Sequence, residues 1–171
     1  MKIREANNII ANARASMSVD GVKVPAACDV EGARLLTSGF GYDGYVHSLA
    51  GTPFHAAGTV FTRLIELCAD GQPAVFDAEL LSAIHKKLYG GLQSNAGQFR
   101  RTNMQLYGAS FTDYRYIAGS LKRLLNKMGG KGAAKTEFCS LLTHYYAELY
   151  LLAPFEQGNG VTIRTFLWLF A

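Results

Sequence analysis

The sequence has few cysteines, no long apolar run and no basic tract, and each of these features would have indicated a broad class of protein. Its three cysteines, Cys28, Cys68 and Cys139, are odd in number and have no Cys-x-x-Cys spacing, which argues against a disulfide framework and against a zinc site. No apolar run approaches the roughly 18 residues that a membrane-spanning helix needs. Lysine and arginine are spread along the chain without a tract, so a net charge of +4 gives little support for nucleic-acid binding. These absences predict a cytoplasmic protein with neither membrane nor nucleic acid as partner.

The N-terminal residues, Met1 to Glu5, also lack the apolar core of a signal peptide. Export through a secretion system that reads other signals stays open. With 171 residues, of which 49% are hydrophobic and 18% charged, the composition is that of one globular domain. A single domain over residues 1–171 is therefore expected.

Helical periodicity dominates the chain and predicts an all-α core. A Gly-rich run at 39–45 and another at 129–136 are interpreted as connections. One candidate strand pair, between Asn103 and Phe111, predicts a short β-hairpin. Helices are predicted over about residues 4–17, 30–36, 54–69, 78–89, 113–128, 133–152 and 161–170, the sixth being apolar on most sides and so expected to be the central buried helix.

The stretch from Leu152 to Arg164 lies between the last two helical patterns. Its Gly158, Asn159 and Gly160 place backbone amides at the start of the final helix, where the amides and the helix dipole favour an anion such as phosphate. Arg164 lies one helical turn further on, on the side that would meet such an anion. The residues predict an anion site.

This stretch resembles the signature of the Fic family, His-x-Phe-x-(Asp/Glu)-Gly-Asn-Gly-Arg-x-x-Arg. Phe155 and the Gly-Asn-Gly triplet match, as does Arg164. The resemblance implies that Gly158, Asn159, Gly160 and Arg164 bind a nucleotide. Three positions depart: Ala153 stands at the catalytic His, Gln157 at the metal-binding carboxylate and Val161 at the first Arg.

Two other segments resemble the same family. Leu80-Leu81-x-x-Ile84-His85-x-x-Leu88-Tyr89 followed by Ala96-Gly97-x-Phe99-Arg100 matches the segment that leads to the family's hairpin flap, here Asn103 to Phe111. The resemblance implies that this flap binds a target protein, by strand addition. His85 is interpreted as a structural histidine.

An N-terminal segment resembles the family's inhibitory pattern, (Ser/Thr)-x-x-x-Glu-(Gly/Asn). It contains Ser16, Asp20 and Gly21, with Asp in place of Glu, on a helix at about 4–21. A helix C-terminus with a polar cap explains these three equally well.

What the resemblance implies about chemistry is AMP transfer from ATP to a hydroxyl of a target protein. Ala153 cannot act as the general base, and loss of such a base costs about 10²- to 10⁴-fold in rate. ATP and Mg²⁺ are the implied cofactors, but a neutral Gln157 predicts weak Mg²⁺ binding. The chain is thus expected to be impaired as a protein adenylyltransferase.

Several interpretations stay open at this point. The chain is an adenylyltransferase, or a toxin restrained by its own N-terminal helix or an antitoxin. It is a nucleotide- or phosphate-binding pseudoenzyme that engages a partner through the flap. It is an engineered inactive variant, or a transferase that uses His85 or His144 as another base. The helices that usually end Fic domains are also expected to be missing, and the oligomeric state is undetermined.

Overall fold

A computed structural model describes residues 1–38, 49–106, 108–128 and 135–171. The predicted loop at 39–45 and most of the predicted connection at 129–136 lie outside the described residues. Helix positions follow the predicted periodicity closely. The elements are α1 (Ile3–Val19), α2 (Ala27–Ser38), α3 (His55–Ala69), α4 (Ala78–Tyr89), β1 (Gln105–Leu106), β2 (Ala109–Ser110), a 3₁₀ turn (Tyr114–Tyr116), α5 (Ile117–Met128), α6 (Lys135–Leu152) and α7 (Asn159–Phe170).

The chain divides into two compact units, Met1–Gly71 and Gln72–Ala171. In the first unit, α1, α2 and α3 pack against one another. Arg14 joins the first two of these helices: its Nη2 lies 2.7 Å from Asp29 Oδ1, and its Nη1 donates to the carbonyl of Val24 at 2.8 Å. Its guanidinium also lies 5.8 Å from the ring centroid of Phe61 on α3. One cation therefore contacts all three helices of this unit.

The second unit contains α4 to α7 and the hairpin. α4 and α6 both pack against α7, and α5 packs against α4 and α6. Asp77 caps α4, as predicted, by accepting a hydrogen bond from the Leu80 amide at 2.8 Å. Asp113 caps the 3₁₀ turn and not α5 directly, because its carboxylate accepts from the amide of Arg115 two residues later. Those hydrogen bonds from Arg115 hold the pKa of the Asp113 carboxyl well below its usual range.

The prediction that α6 is the central buried helix is wrong. Only its Tyr145, Leu149 and Leu152 are buried among the residues whose exposure is described, and Leu151 is 57% exposed. α7 is the most buried helix of this unit, since eight of its twelve residues are buried. Both helices pack against two others, but apolar residues of α6 such as Leu151 extend beyond the faces that meet its neighbours.

The β-hairpin pairs Gln105 with Ser110 and Leu106 with Ala109 in antiparallel register. All four of these residues are exposed. Gly108, in the turn, has φ +80°. Within the described residues this is the only sheet, so the fold is all-α with a short hairpin, as predicted.

The three cysteines are free thiols, in agreement with the absence of a disulfide pattern. Burial raises the pKa of the Cys68 thiol to about 12. No helix in the described ranges is long and apolar enough to cross a membrane.

Candidate functional site

The candidate site is the loop between α6 and α7 together with the first turn of α7. Ala153 ends α6 with φ +40°, the only positive φ of a non-glycine residue in the described part of the chain. This left-handed conformation turns the chain out of the helix, and histidine is among the residues that adopt it more readily than most. The backbone at the position of the family histidine thus suits an imidazole, while Ala153 itself offers only a buried methyl group.

Asn159 closes the loop through its side chain. Its Oδ1 accepts a hydrogen bond from the Phe155 amide at 2.9 Å, and its Nδ2 donates to the Phe155 carbonyl at 2.7 Å. The side chain is therefore committed to holding the loop. Of Asn159, only the backbone amide could therefore bind an anion. The sequence analysis did not separate the role of this amide from that of the side chain.

His85 on α4 packs against the loop between α6 and α7 and forms a hydrogen bond with it. Its Nδ1 accepts a hydrogen bond from the Gly97 amide at 2.8 Å, so the neutral ring carries its proton on Nε2 and donates it to the Gln157 carbonyl at 2.9 Å. The ring stacks on Phe155 with centroids 3.8 Å apart. Burial lowers the pKa of His85, although the bond to Gln157 opposes this. Both ring nitrogens are thus engaged within the protein, as expected of a structural histidine.

Gly158 is required where it stands. It caps α7 with φ +73°, and a Cβ added there would clash with the Tyr89 ring. Tyr89 in turn lies 4.9 Å from the His85 ring between centroids. Thus α4 fixes the start of α7 through two aromatic rings, which explains why the α4 pattern and the glycine loop occur together.

Arg100 is the residue whose role the sequence analysis missed. It is 3% exposed, and its Nε donates to the Ala153 carbonyl at 2.7 Å. Its guanidinium also donates to the carbonyls of Leu152, Thr102 and Thr112. Burial lowers the pKa of Arg100, an effect that Asp113 opposes. The same side chain therefore caps the C-terminus of α6 and holds both ends of the hairpin. In the sequence, this residue is the Arg that ends the Ala-Gly-x-Phe-Arg segment, and that motif could have indicated its role.

The first turn of α7 presents the amides that could bind an anion. The first backbone bond of this helix runs from the Thr162 amide to the Gly158 carbonyl, at 3.2 Å. The amides before it have no acceptor within the helix and carry the positive end of its dipole. Arg164 is half-buried, and its Nη1 donates to the Tyr146 hydroxyl at 3.2 Å. Helix positions 160 and 164 share a face, so Arg164 lies on the side of Gly160.

The residues present do not fit a magnesium ion. Gln157 is exposed and offers a neutral amide, a poor ligand for a hard cation. Glu156, beside it, accepts a hydrogen bond from Asn95 Nδ2 at 2.7 Å. The described residues contain no group of three or more His, Cys, Asp or Glu side chains that could hold a metal. Val161, at the position of the family's first Arg, is 2% exposed, so its side chain belongs to the core.

The hairpin residues named from the sequence anchor its two ends. Asn103 Oδ1 accepts a hydrogen bond from the Tyr114 amide at 3.0 Å, and the Phe111 amide donates to the Met104 carbonyl at 3.1 Å.

The residues of the inhibitory pattern, Ser16, Asp20 and Gly21, lie at the end of α1 in the first unit. Asp20 is the C-cap of this helix, and Gly21 has φ +72°. The resemblance to the inhibitory pattern also implies that the Asp20 carboxylate pairs with Arg164, and this stays a prediction.

A helical core, a short hairpin and a glycine loop at a helix N-terminus define a helical protein with a candidate anion site. The model of the Fic/DOC family matches residues 75–171, more than half of the sequence. The chain therefore belongs to the Fic/DOC family.

Relatives are found among both sequences and structures. The chain is 30% identical over 112 residues to protein adenylyltransferase VbhT of Bartonella schoenbuchensis, a match that covers 63% of this chain and 23% of VbhT. It is 32% identical over 98 residues to "Probable protein adenylyltransferase Fic" of Salmonella typhimurium, covering 55% of this chain and 49% of the relative. The chain thus spans half or less of the length of these curated relatives.

Among solved structures, the fold resembles that of the BepC protein of Bartonella tribocorum with bound AMPPNP, at a TM-score of 0.62 and 23% identity. This likeness covers 77% of the present chain and 69% of the BepC chain. It supports the fold assignment.

Proposed function

We propose that this chain is a nucleotide-binding Fic protein whose AMP-transfer chemistry is impaired. The observation that carries the proposal is the first turn of α7, where the amides of Asn159 and Gly160 precede the first hydrogen-bonded amide of the helix and Arg164 follows on the side of Gly160. Backbone amides at a helix N-terminus favour a phosphate group. Two relatives are named as protein adenylyltransferases, and BepC was solved with AMPPNP, so ATP is the ligand we propose.

The impairment follows from Ala153. Transfer of AMP to a hydroxyl requires a group that removes the hydroxyl proton as the oxygen attacks the α-phosphate, and a methyl group cannot do so. His85 donates and accepts through its two ring nitrogens within the protein. His144 is exposed on α6 and precedes Ala153 by more than two helical turns. Neither histidine is suited to replace the missing base.

The weak metal site adds to this impairment. Gln157 lacks the carboxylate that would hold the metal, and the buried Val161 lacks the cation that would contact the phosphates. Charge neutralisation then depends on Arg164 and the helix N-terminus. We therefore propose that ATP binds with little dependence on Mg²⁺.

The test combines ATP titration by calorimetry with an assay for transfer of labelled AMP. The chain and its Ala153→His variant are compared. Both should bind ATP, and the variant should transfer AMP to added proteins, or to itself, about 10²- to 10⁴-fold faster because it regains a general base. Ala153→Gln is the matched control, since it adds a side chain of similar size without a basic nitrogen.

Equal transfer rates in all three proteins would contradict the impairment. If the unmodified chain fails to bind ATP while it is folded by circular dichroism, the nucleotide-binding function is wrong. Adding Mg²⁺ to the titration tests the metal: a large gain in affinity would show that Gln157 does not weaken the ion's site.

A second candidate is a partner-binding role through the hairpin. The observation that favours it is that Gln105, Leu106, Ala109 and Ser110 are all exposed, so the hairpin has strand edges that could pair with an extended peptide. This role needs no general base. Binding of a partner that persists after Leu106→Pro, which interrupts the strand, would argue against it.

A further inference from the structure

Tyr146 on α6 meets Arg164 on α7. Arg164 Nη1 donates a hydrogen bond to the Tyr146 hydroxyl oxygen at 3.2 Å, and both side chains are half-buried. A phenol oxygen that accepts a hydrogen bond keeps its own O–H as a donor. The phenol O–H can therefore be offered to a ligand that lies beside the Arg164 guanidinium.

A row of aromatic rings fixes the orientation of Tyr146. Its ring stacks on Tyr150, one turn later on α6, with centroids 5.8 Å apart and an angle of 30°. Tyr150 in turn meets the edge of Phe111, which follows β2, at 6.2 Å. Residues 146 and 150 share one face of α6, and the second of them lies three residues before Ala153, where the helix has just ended.

We propose that the Tyr146 hydroxyl is an additional donor of the anion site, acting beside Arg164 on the phosphate chain that the first turn of α7 binds. This rests on the proposed nucleotide-binding function. Accepting from a cation polarises the phenol O–H and strengthens it as a donor. Because Val161 replaces the first Arg of the family pattern with a buried apolar side chain, a neutral donor at Tyr146 supplies part of the lost contact to phosphate.

The experiment measures binding of inorganic tripolyphosphate and of ATP to the full chain by calorimetry. Tyr146→Phe deletes the hydroxyl and keeps the ring and its stacking. Both ligands should bind about three- to tenfold more weakly to this variant, the effect of one lost hydrogen bond. The shift in melting temperature that each ligand produces, measured against the variant's own unliganded value, should fall in parallel.

Tyr150→Phe is the matched control. It removes a hydroxyl from the same helix and keeps the stack with Tyr146, so it should leave both affinities within twofold. The decisive comparison uses an Arg164→Gln background, in which adding Tyr146→Phe should cause little further loss because the cation that polarises the hydroxyl is absent. A merely structural role of Tyr146 would not depend on Arg164 in this way.

An unchanged or tighter affinity of Tyr146→Phe, while the unmodified chain binds tripolyphosphate, would overturn this proposal and leave the nucleotide site intact. An equal loss in both Arg164 backgrounds would also overturn it. If the unmodified chain binds neither ligand, the proposed function fails, and the role of Tyr146 fails with it.

Discussion

Two residues that face the same loop show how single side chains set its chemistry. Ala153, at the position of the family histidine, has a positive φ and no group that can accept a proton. His85 has an imidazole, yet its two nitrogens are engaged by Gly97 and Gln157, so it acts as a support for the loop. Position 153 therefore carries no proton acceptor, and both nitrogens of the imidazole that packs against this loop form hydrogen bonds within the protein.

His85 should make folding stability depend on pH. Burial lowers its pKa in the folded state below about 6.5, the value expected in the unfolded chain. The unfolded state then binds more protons as the pH falls below about 6.5, so the unfolding free energy decreases there, by at most about 1.4 kcal/mol per pH unit from this residue. Full stability is expected above that pH. Urea unfolding between about pH 8 and pH 5 measures the effect.

His85→Gln should reduce this pH dependence, because no titrating group remains at the position. His144→Gln is the control, since His144 is exposed and its removal should leave the slope unchanged. A slope that survives His85→Gln would assign the pH dependence to other groups.

At the scale of elements, one buried arginine joins the hairpin to the end of α6. Arg100 donates to carbonyls on both sides of the hairpin, at Thr102 and Thr112, and to Leu152 and Ala153 at the end of the helix. The Thr112 amide adds a bond to the Leu151 carbonyl at 3.2 Å. The hairpin is short, with two residues in each strand, so its position depends on these contacts more than on its own pairing.

Arg100→Met should lower the unfolding free energy by about 2 to 4 kcal/mol, because carbonyls at a helix end and beside the hairpin lose a charged donor. Amide hydrogen exchange over residues 101–112 should accelerate more than exchange in α5. Arg101→Met is the matched control: Arg101 is the next residue and is exposed, so its loss should change stability by less than about 0.5 kcal/mol. Similar exchange in the hairpin of both variants would contradict the role given to Arg100.

Across the whole molecule, the chain contains two compact units, and the family match over residues 75–171 lies entirely within the second. Whether residues 1–171 act as one Fic-like domain stays a prediction, as does the cytoplasmic location. The pattern that resembles an inhibitory helix lies in the first unit, at the C-terminus of α1. Regulation would require this unit to influence the nucleotide site of the second.

Asp20→Ala tests that regulation. If the Asp20 carboxylate competes with a terminal phosphate for Arg164, ATP affinity should rise in the variant, by about three- to tenfold for one charge-assisted contact. Calorimetry with the full chain measures it.

Asp70→Ala is a close control, because Asp70 is also the exposed C-cap of a helix and is also followed by a glycine of positive φ, Gly71. It changes the net charge equally and should leave ATP affinity unchanged. Equal gains in the two variants would reflect net charge alone, and no gain with Asp20→Ala would remove the autoinhibition hypothesis.

The residues alone indicated which segments are helical and several of the helix ends, since these depend on local periodicity and on local caps such as Asp77 and Gly21. One cap differed, because Asp113 caps the 3₁₀ turn and not α5. The glycine loop before α7 could also be located, because a helix N-terminus with glycines is a local feature. The folded structure was needed to show that Arg100 joins hairpin to helix, that Asn159 holds the loop through its side chain, and that α7 is more buried than α6. Those outcomes depend on which faces of distant segments meet, and apolar residues around the whole of α6 do not specify which side its neighbours cover.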